Sequence, residues 1–241
     1  MTDQIIIGQR FHGPSGSGNG GYSCGLLARF IDGPARIRLR IPPPLDQPLD
    51  VHRQGADVQL FCRGELVATG KPVKLNISIP VAPDFESASN ASTRYRGHES
   101  HFYPSCFVCG PQREQGDGLR IFAGPLAPDS DGAAMVAAAW IPDESLANES
   151  GTVSDEYLWA ALDCPGAYSF REPDAGAILL GELAVEIRGS VVAGEKCVLI
   201  GWEISHQGRK HFTGTALFGE NGQCRAVGQA TWIEVPEKPG A

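Results

Sequence analysis

The chain has 241 residues, 42% of them hydrophobic and 20% charged, which allows one large domain or two of about 120 residues with a sizeable core. Twenty Lys and Arg against 28 Asp and Glu give a net charge of −8, which opposes binding to phosphate backbones and to anionic membrane surfaces. No apolar run approaches the roughly 20 residues of a membrane span. The start, Met1-Thr2-Asp3-Gln4, has neither the positive flank nor the apolar stretch of a secretory signal. Seven cysteines, an odd number scattered through apolar segments, read as reduced thiols packed as small hydrophobes, not as a disulfide framework. The expectation is a soluble, cytoplasmic protein with neither a nucleic-acid nor a membrane partner.

Taken in chain order, the first element is a helix behind the glycine cluster Ser15-Gly16-Ser17-Gly18-Asn19-Gly20-Gly21. Tyr22, Leu26, Leu27, Phe30 and Ile31 fall at helical spacing, and Asp32-Gly33-Pro34 stops the run. An arginine-punctuated strand, Arg36-Ile37-Arg38-Leu39-Arg40, follows. Between 82 and 104, Ser, Asn, Thr, Gly and charge replace apolar periodicity, which predicts a linker. A second helix is predicted over 154–168, with Ser154 as N-cap and Asp155 and Glu156 in the first turn, where the helix dipole favours them. Leu158, Ala161, Leu162 and Pro165 form its buried stripe. The final third reads as three neighbouring antiparallel strands over 195–204, 210–219 and 224–235, the last two joined by the hairpin signal Asn221-Gly222. Two helices against roughly a dozen strands make an α+β chain.

The two halves resemble each other. Gly64-Glu65-Leu66-Val67-Ala68-Thr69-Gly70-Lys71 shares its Gly, Ala and Gly with Gly222-Gln223-Cys224-Arg225-Ala226-Val227-Gly228-Gln229. Each segment closes a half in which a helix precedes an arginine-punctuated strand, the second being Val185-Glu186-Ile187-Arg188. The division is an N-terminal half over 1–81, a linker over 82–104, a C-terminal half over 105–236 and a tail over 237–241.

A duplicated unit of one helix and a long antiparallel sheet resembles a double hotdog. Cys106-Phe107-Val108-Cys109-Gly110-Pro111, then Gly118-Leu119-Arg120-Ile121-Phe122, resembles the opening of small hotdog thioesterases. Asn19-Gly20-Gly21-Tyr22 is similar to the helix entry of double-hotdog acyl-CoA thioesterase-like proteins, and Leu162-Asp163-Cys164-Pro165-Gly166 looks like the helix of the phenylacetate-pathway type. The resemblance implies a thioesterase-like hydrolase acting on an acyl-CoA or acyl-carrier thioester. It implies no metal or organic cofactor, coenzyme A entering only with the substrate, and further association into a homodimer or higher oligomer.

In such enzymes a carboxylate activates water, and backbone N–H groups at a helix start receive the oxyanion. The carboxylate comes from one hotdog unit and the helix start from its partner. If Asn19 matches Ser154, Ala28 matches Asp163, nine residues on in each case. One composite site then has Asp163 as base and the Asn19-Gly20-Gly21 backbone as oxyanion donor. The pseudo-symmetric site, Ala28 facing Asp155-Glu156, is degenerate, so one active site per chain is predicted. A competing assignment takes Ser154-Asp155 as the Ser-Asp of type II acyl-CoA thioesterases, with Glu156 beside it and Gln229 as the partner; the expected Thr near Leu180 is missing. A non-catalytic acyl-ligand binder with the same groove is the alternative of a different class.

Other constellations are weaker. His98, His101, Cys106 and Cys109 have the ligand types for zinc without zinc-finger spacing, and the resemblance accounts for both cysteines without a metal. Cys164 reads as a buried structural thiol, with no His near it in sequence. The glycine run lacks the Lys-Ser/Thr of a phosphate loop, and Gly116-Asp117-Gly118 lacks the Asn-Pro and His of a hotdog hydratase.

Overall fold

Alternation of apolar and polar residues between glycine-rich turns produces strands, and here eleven of them join one antiparallel sheet. The structure, a computed structural model, describes residues 3–126, 135–171 and 176–236. The first five strands are β1 (Asp3–Ile6), β2 (Ala35–Leu39), β3 (Pro48–Gln54), β4 (Asp57–Cys62) and β5 (Glu65–Pro72). The others are β6 (Gly124–Pro125), β7 (Met135–Trp140), β8 (Ala177–Ile187), β9 (Cys197–Gln207), β10 (Lys210–Phe218) and β11 (Cys224–Val235). The helices are α1 (Gly20–Ala28), α2 (Phe85–Ser92), α3 (Asp155–Ala161) and α4 (Cys164–Ala167). Among the described residues, no helix is long and apolar enough to cross a membrane.

Sheet order is β1-β3-β4-β5-β2-β8-β11-β10-β9-β7-β6. Read outward from the β2–β8 seam, the two sides follow the same connectivity, so the expected duplication is present in the topology. The two arginine-punctuated strands meet at this seam, with Ile37 opposite Leu183 and Arg38 opposite Glu182. Glu182 accepts from Arg38 at 2.7 Å and lies 3.4 Å from Arg36. Such half-exposed pairs add at most about 1 kcal/mol; the apolar inner residues Ile37, Leu183 and Leu199, all fully buried, hold the halves together. The predicted hairpins are present: β9, β10 and β11 are neighbours, and Gly222 takes a positive φ of 72° in the turn before β11.

Two expectations need correction. The segment 82–104 carries a helix where a linker was expected. The side chain of Asp84 accepts from the Ser87 backbone N–H at 2.7 Å, capping α2, and Ala88 and Ala91 are completely buried. They cover Ala137, Val198, Ile200 and Trp202, the outer residues of β7 and β9. The helix predicted over 154–168 is broken in two. Pro165 cannot donate an N–H to the Ala161 carbonyl, and its ring crowds that carbonyl, so α3 ends at Ala161 and α4 starts at Cys164 with the proline in its first turn. Asp163 stands in the break with φ −78° and ψ −82°. Ser154 is the N-cap residue of α3 but makes no side-chain cap bond. The tail over 237–241 lies outside the described residues.

The central helices run antiparallel and close. A Cβ at Gly21 would sit 2.5 Å from Asp163 Cβ and 2.8 Å from the Trp159 carbonyl, and one at Gly25 would sit 2.7 Å from Glu156 Cα. Two missing side chains on one face of α1 thus allow α3 to approach its backbone. Gly25→Ala is expected to lose about 1–3 kcal/mol by overpacking, despite the gain of up to about 1 kcal/mol in helix propensity. Urea unfolding measures it; an unchanged or higher midpoint would show that the helices do not need this approach.

Candidate active site

The start of α1 supplies a set of donors. The first N–H groups of a helix have no partner inside it, and here each has an identifiable fate. Asn19, the N-cap, accepts from the Tyr22 N–H through its side chain at 2.9 Å. Gly21 N–H donates to Asp163 Oδ2 at 2.9 Å. Ser23 N–H reaches the Asn19 carbonyl at 3.0 Å, the first bond within the helix. Gly20 N–H is the first-turn donor without a partner among the described residues, and Gly20 lines a cavity.

Asp163 arrives at this helix start from the other half because the α3–α4 break turns it there. It is 2% exposed, and its Oδ2 accepts from both Gly21 N–H and Asn19 Nδ2, each at 2.9 Å. Its other oxygen, Oδ1, is buried with no partner among the described residues. Burial pushes the carboxyl up from 3.8 to about 7. The Gly21 N–H pulls back, the neighbouring Cys106 sulfur adds to the rise, and the Asn19 amide pulls back again. Asn19, Gly20, Gly21 and Asp163 therefore stand together, but the Asn19 and Gly21 backbone N–H groups, expected as oxyanion donors, are committed to the Phe11 carbonyl and to Asp163.

The cavity beside them has a volume of about 330 Å³ and is shared by both halves, within the usual range for small-molecule sites. Ile41 and Pro43 form part of its wall from the N-terminal half, and Ile178, Leu180, Tyr168 and Trp232 from the C-terminal half. Asn19, Gly20 and Asp163 supply polar groups at the helix start.

Asp155, Glu156 and Gln229 stand elsewhere, and none lines this cavity. Asp155 is at the opposite end of the helix pair, raised above its ordinary value by burial and lowered by Arg29. Glu156 backs onto Gly25. Gln229 lies within β11, opposite Gly214 on one side and Ala184 on the other.

Three thiols form a second group on the cavity wall. Cys106, Cys109 and Cys164 have their sulfurs within 4.8 Å of one another, with 3.9 Å between Cys106 and Cys164. Hydrogen bonds from the Cys109 and Cys164 thiols hold the Cys106 thiol well below its ordinary value. Asn19 Nδ2 also lies 3.8 Å from Cys106 Sγ, which joins this group to Asp163. The histidines considered with Cys106 and Cys109 are placed differently: His98 packs edge-on against Tyr95, and His101 Nε2 lies 3.4 Å from Cys109 Sγ. Sequence reasoning missed Cys164 as the third member, although its adjacency to Asp163 placed it in the same region. All seven cysteines are free thiols.

No protein-family profile matches the chain, and no curated protein matches it in sequence. Solved structures do match it. The tesB protein of Mycobacterium avium subsp. paratuberculosis is 16% identical, with a TM-score of 0.58 over 92% of this chain and 89% of that one. A conserved protein of unknown function with a hot dog fold from Alicyclobacillus acidocaldarius is 9% identical, with a TM-score of 0.59 over 97% and 92%. An oleoyl thioesterase (putative) from Lactobacillus plantarum is 10% identical, with a TM-score of 0.58 over 98% and 96%. At these identities the likeness speaks for the fold: the chain is a double hotdog.

The burial of Asp163 has a consequence for stability. Its folded value, about 7, lies above the ordinary 3.8, so between these pH values the native state holds a proton that the unfolded chain has released. Stability contributed by this group is present at low pH and is lost as pH rises through about 7. Asp163→Asn, which cannot ionise, should therefore gain on the wild type as pH increases across that window. Urea midpoints of both proteins measured across the window check this; a gap that is flat or narrows with pH would contradict the buried, destabilised carboxylate.

Proposed function

We propose that the chain hydrolyses an acyl thioester, of coenzyme A or of an acyl carrier, with Asp163 as the base that activates water. One observation carries the reading: a buried carboxylate with one oxygen fixed by the start of a helix and the other, Oδ1, unpaired beside an apolar cavity. In its ionised form Oδ1 takes a proton from water while the water oxygen bonds to the thioester carbonyl carbon. Charge that develops on the carbonyl oxygen is received by Gly20 N–H and the positive end of α1. Collapse of the tetrahedral species breaks the carbon–sulfur bond, and the proton held by Asp163 neutralises the departing thiolate. The acyl chain occupies the wall around Ile41, Ile178, Leu180 and Trp232. No residue of the opposite helix end takes part, which leaves one such site in each chain.

A second reading has a specific observation in its favour. Of the three backbone N–H groups expected to receive the oxyanion, that of Asn19 donates to the Phe11 carbonyl at 2.7 Å and that of Gly21 to Asp163 at 2.9 Å, which leaves Gly20 as the single backbone donor. A chain that binds acyl-CoA without cleaving it would tolerate this arrangement.

Thiol release and binding measured together on a panel of acyl-CoA thioesters separate the two. Turnover of at least one thioester is expected, and Asp163→Asn should keep the fold and lose that turnover by at least about a hundredfold. Binding with no thiol release anywhere in the panel favours the binder, and a fully active Asp163→Asn protein removes Asp163 from the mechanism.

A further inference from the structure

The geometry points to a metal site at Cys106, Cys109 and Cys164, in which the three thiolates hold one thiophilic divalent ion of the zinc type on the wall of the acyl cavity. Zinc–sulfur bonds of about 2.3 Å at tetrahedral angles set sulfurs about 3.8 Å apart. The Cys106–Cys164 separation is 3.9 Å, and Cys109 completes a triangle with no edge beyond 4.8 Å. An ion would need only small side-chain adjustments to reach all three.

The local backbone favours the same use. Cys106 and Cys109 belong to a Cys-x-x-Cys-Gly turn. Gly110 closes the turn with its N–H on the Cys106 carbonyl at 2.9 Å. A Cβ there would lie 2.5 Å from the Cys106 nitrogen and 2.6 Å from its oxygen, so only glycine permits so tight a wrap. A turn of this kind gathers two sulfurs on one side. Cys164 faces them from the start of α4, beyond the break at Asp163.

His101 serves as a hydrogen-bond partner and not as a fourth ligand. Its Nδ1 accepts from the Tyr103 backbone N–H at 2.8 Å, which leaves the ring proton on Nε2, directed between Cys109 Sγ at 3.4 Å and the Tyr168 hydroxyl at 3.0 Å. A thiolate bound to a metal is a good acceptor for such a donor. With three protein ligands, the fourth position is left to water or another small ligand from the cavity that all three cysteines line. An ion here would tie Cys164 to the Cys106–Cys109 turn, and so position Asp163, its immediate neighbour in the chain. The proposal does not depend on thioester cleavage, since it concerns metal held by the resting protein.

The test uses the full chain, stripped of metal under reducing conditions and titrated with zinc and, separately, with cobalt(II). The expected result is saturation at about one ion per chain, with a thiolate-to-cobalt charge-transfer band. Cys106→Ser, Cys109→Ser and Cys164→Ser should each weaken binding at least about tenfold, and Cys62→Ser, at a buried thiol elsewhere, should leave it unchanged. Circular dichroism establishes which variants fold, and the wild-type titration decides the question even if none does. No saturable binding by the wild type overturns the proposal. So does binding without the charge-transfer band, or binding that folded variants of all three cysteines retain.

Discussion

A 2.9 Å hydrogen bond joins the Gly21 amide at the start of α1 to the carboxylate of Asp163 at the end of α3, and it forms only because the two helices approach backbone to backbone. Gly21 and Gly25 remove the side chains that would hold them apart. The sheet then closes over the pair, with β2 and β8 meeting edge to edge at the seam. Sheet pairing, helix approach and carboxylate placement are therefore one geometric problem. A side chain at position 21 would collide with Asp163 itself, so the same glycine serves both packing and chemistry.

A fully buried carboxylate is a cost that packing does not require. An apolar residue at 163 would avoid desolvation, and a cap from α1 alone recovers only part of the penalty. The site offers two neutral donors and the positive end of a nine-residue helix, and among the described residues no cation pairs with Asp163. This stops short of the full ion pair that would hold the group firmly ionised. A carboxyl poised near neutrality, with Oδ1 unpaired at a cavity, is an arrangement whose value lies in proton transfer.

Much of this was legible in the sequence, for physical reasons that differ by element. The hairpin of β10 and β11 is announced by Asn221-Gly222, because a tight turn needs positive φ. Asn19 and Asp163 stood out through the resemblance of Asn19-Gly20-Gly21-Tyr22 and Leu162-Asp163-Cys164-Pro165-Gly166 to hotdog helix motifs, and the spacing that aligned the two helices holds, since Asn19 and Ser154 do occupy equivalent N-cap positions. The covering helix α2 was hidden because its buried stripe consists of Ala88 and Ala91, too small to register as apolar periodicity. An indirect signal existed in β9, where Cys197-Val198-Leu199-Ile200-Gly201-Trp202 is apolar on both faces; a strand of that kind needs a cover on each side. The helix break at Asp163 was half legible, since Pro165 marks a distortion without saying where the chain goes next. The meeting of Cys164 with Cys106 and Cys109 depends on how α4 faces a turn 55 to 58 residues earlier, and no local pattern carries that information.

The asymmetry of the helix pair explains why a tandem chain differs from a dimer of identical units. In a symmetric dimer both ends of the pair must be alike, so a carboxylate placed at one end appears at the other. Here the two ends have diverged: α1 begins with Asn19-Gly20-Gly21 and meets Asp163, whereas α3 begins with Asp155-Glu156 and meets the end of α1 at Ala28 and Arg29. Acidic residues in the first turn of α3 satisfy the helix dipole internally, so that end has less use for an external anion. They also give Arg29 a neighbour of opposite charge. Covalent linkage of the halves lets one end be adapted for holding the helices together while the other keeps a desolvated carboxylate, and the stability cost of a buried charge is incurred once per chain instead of twice.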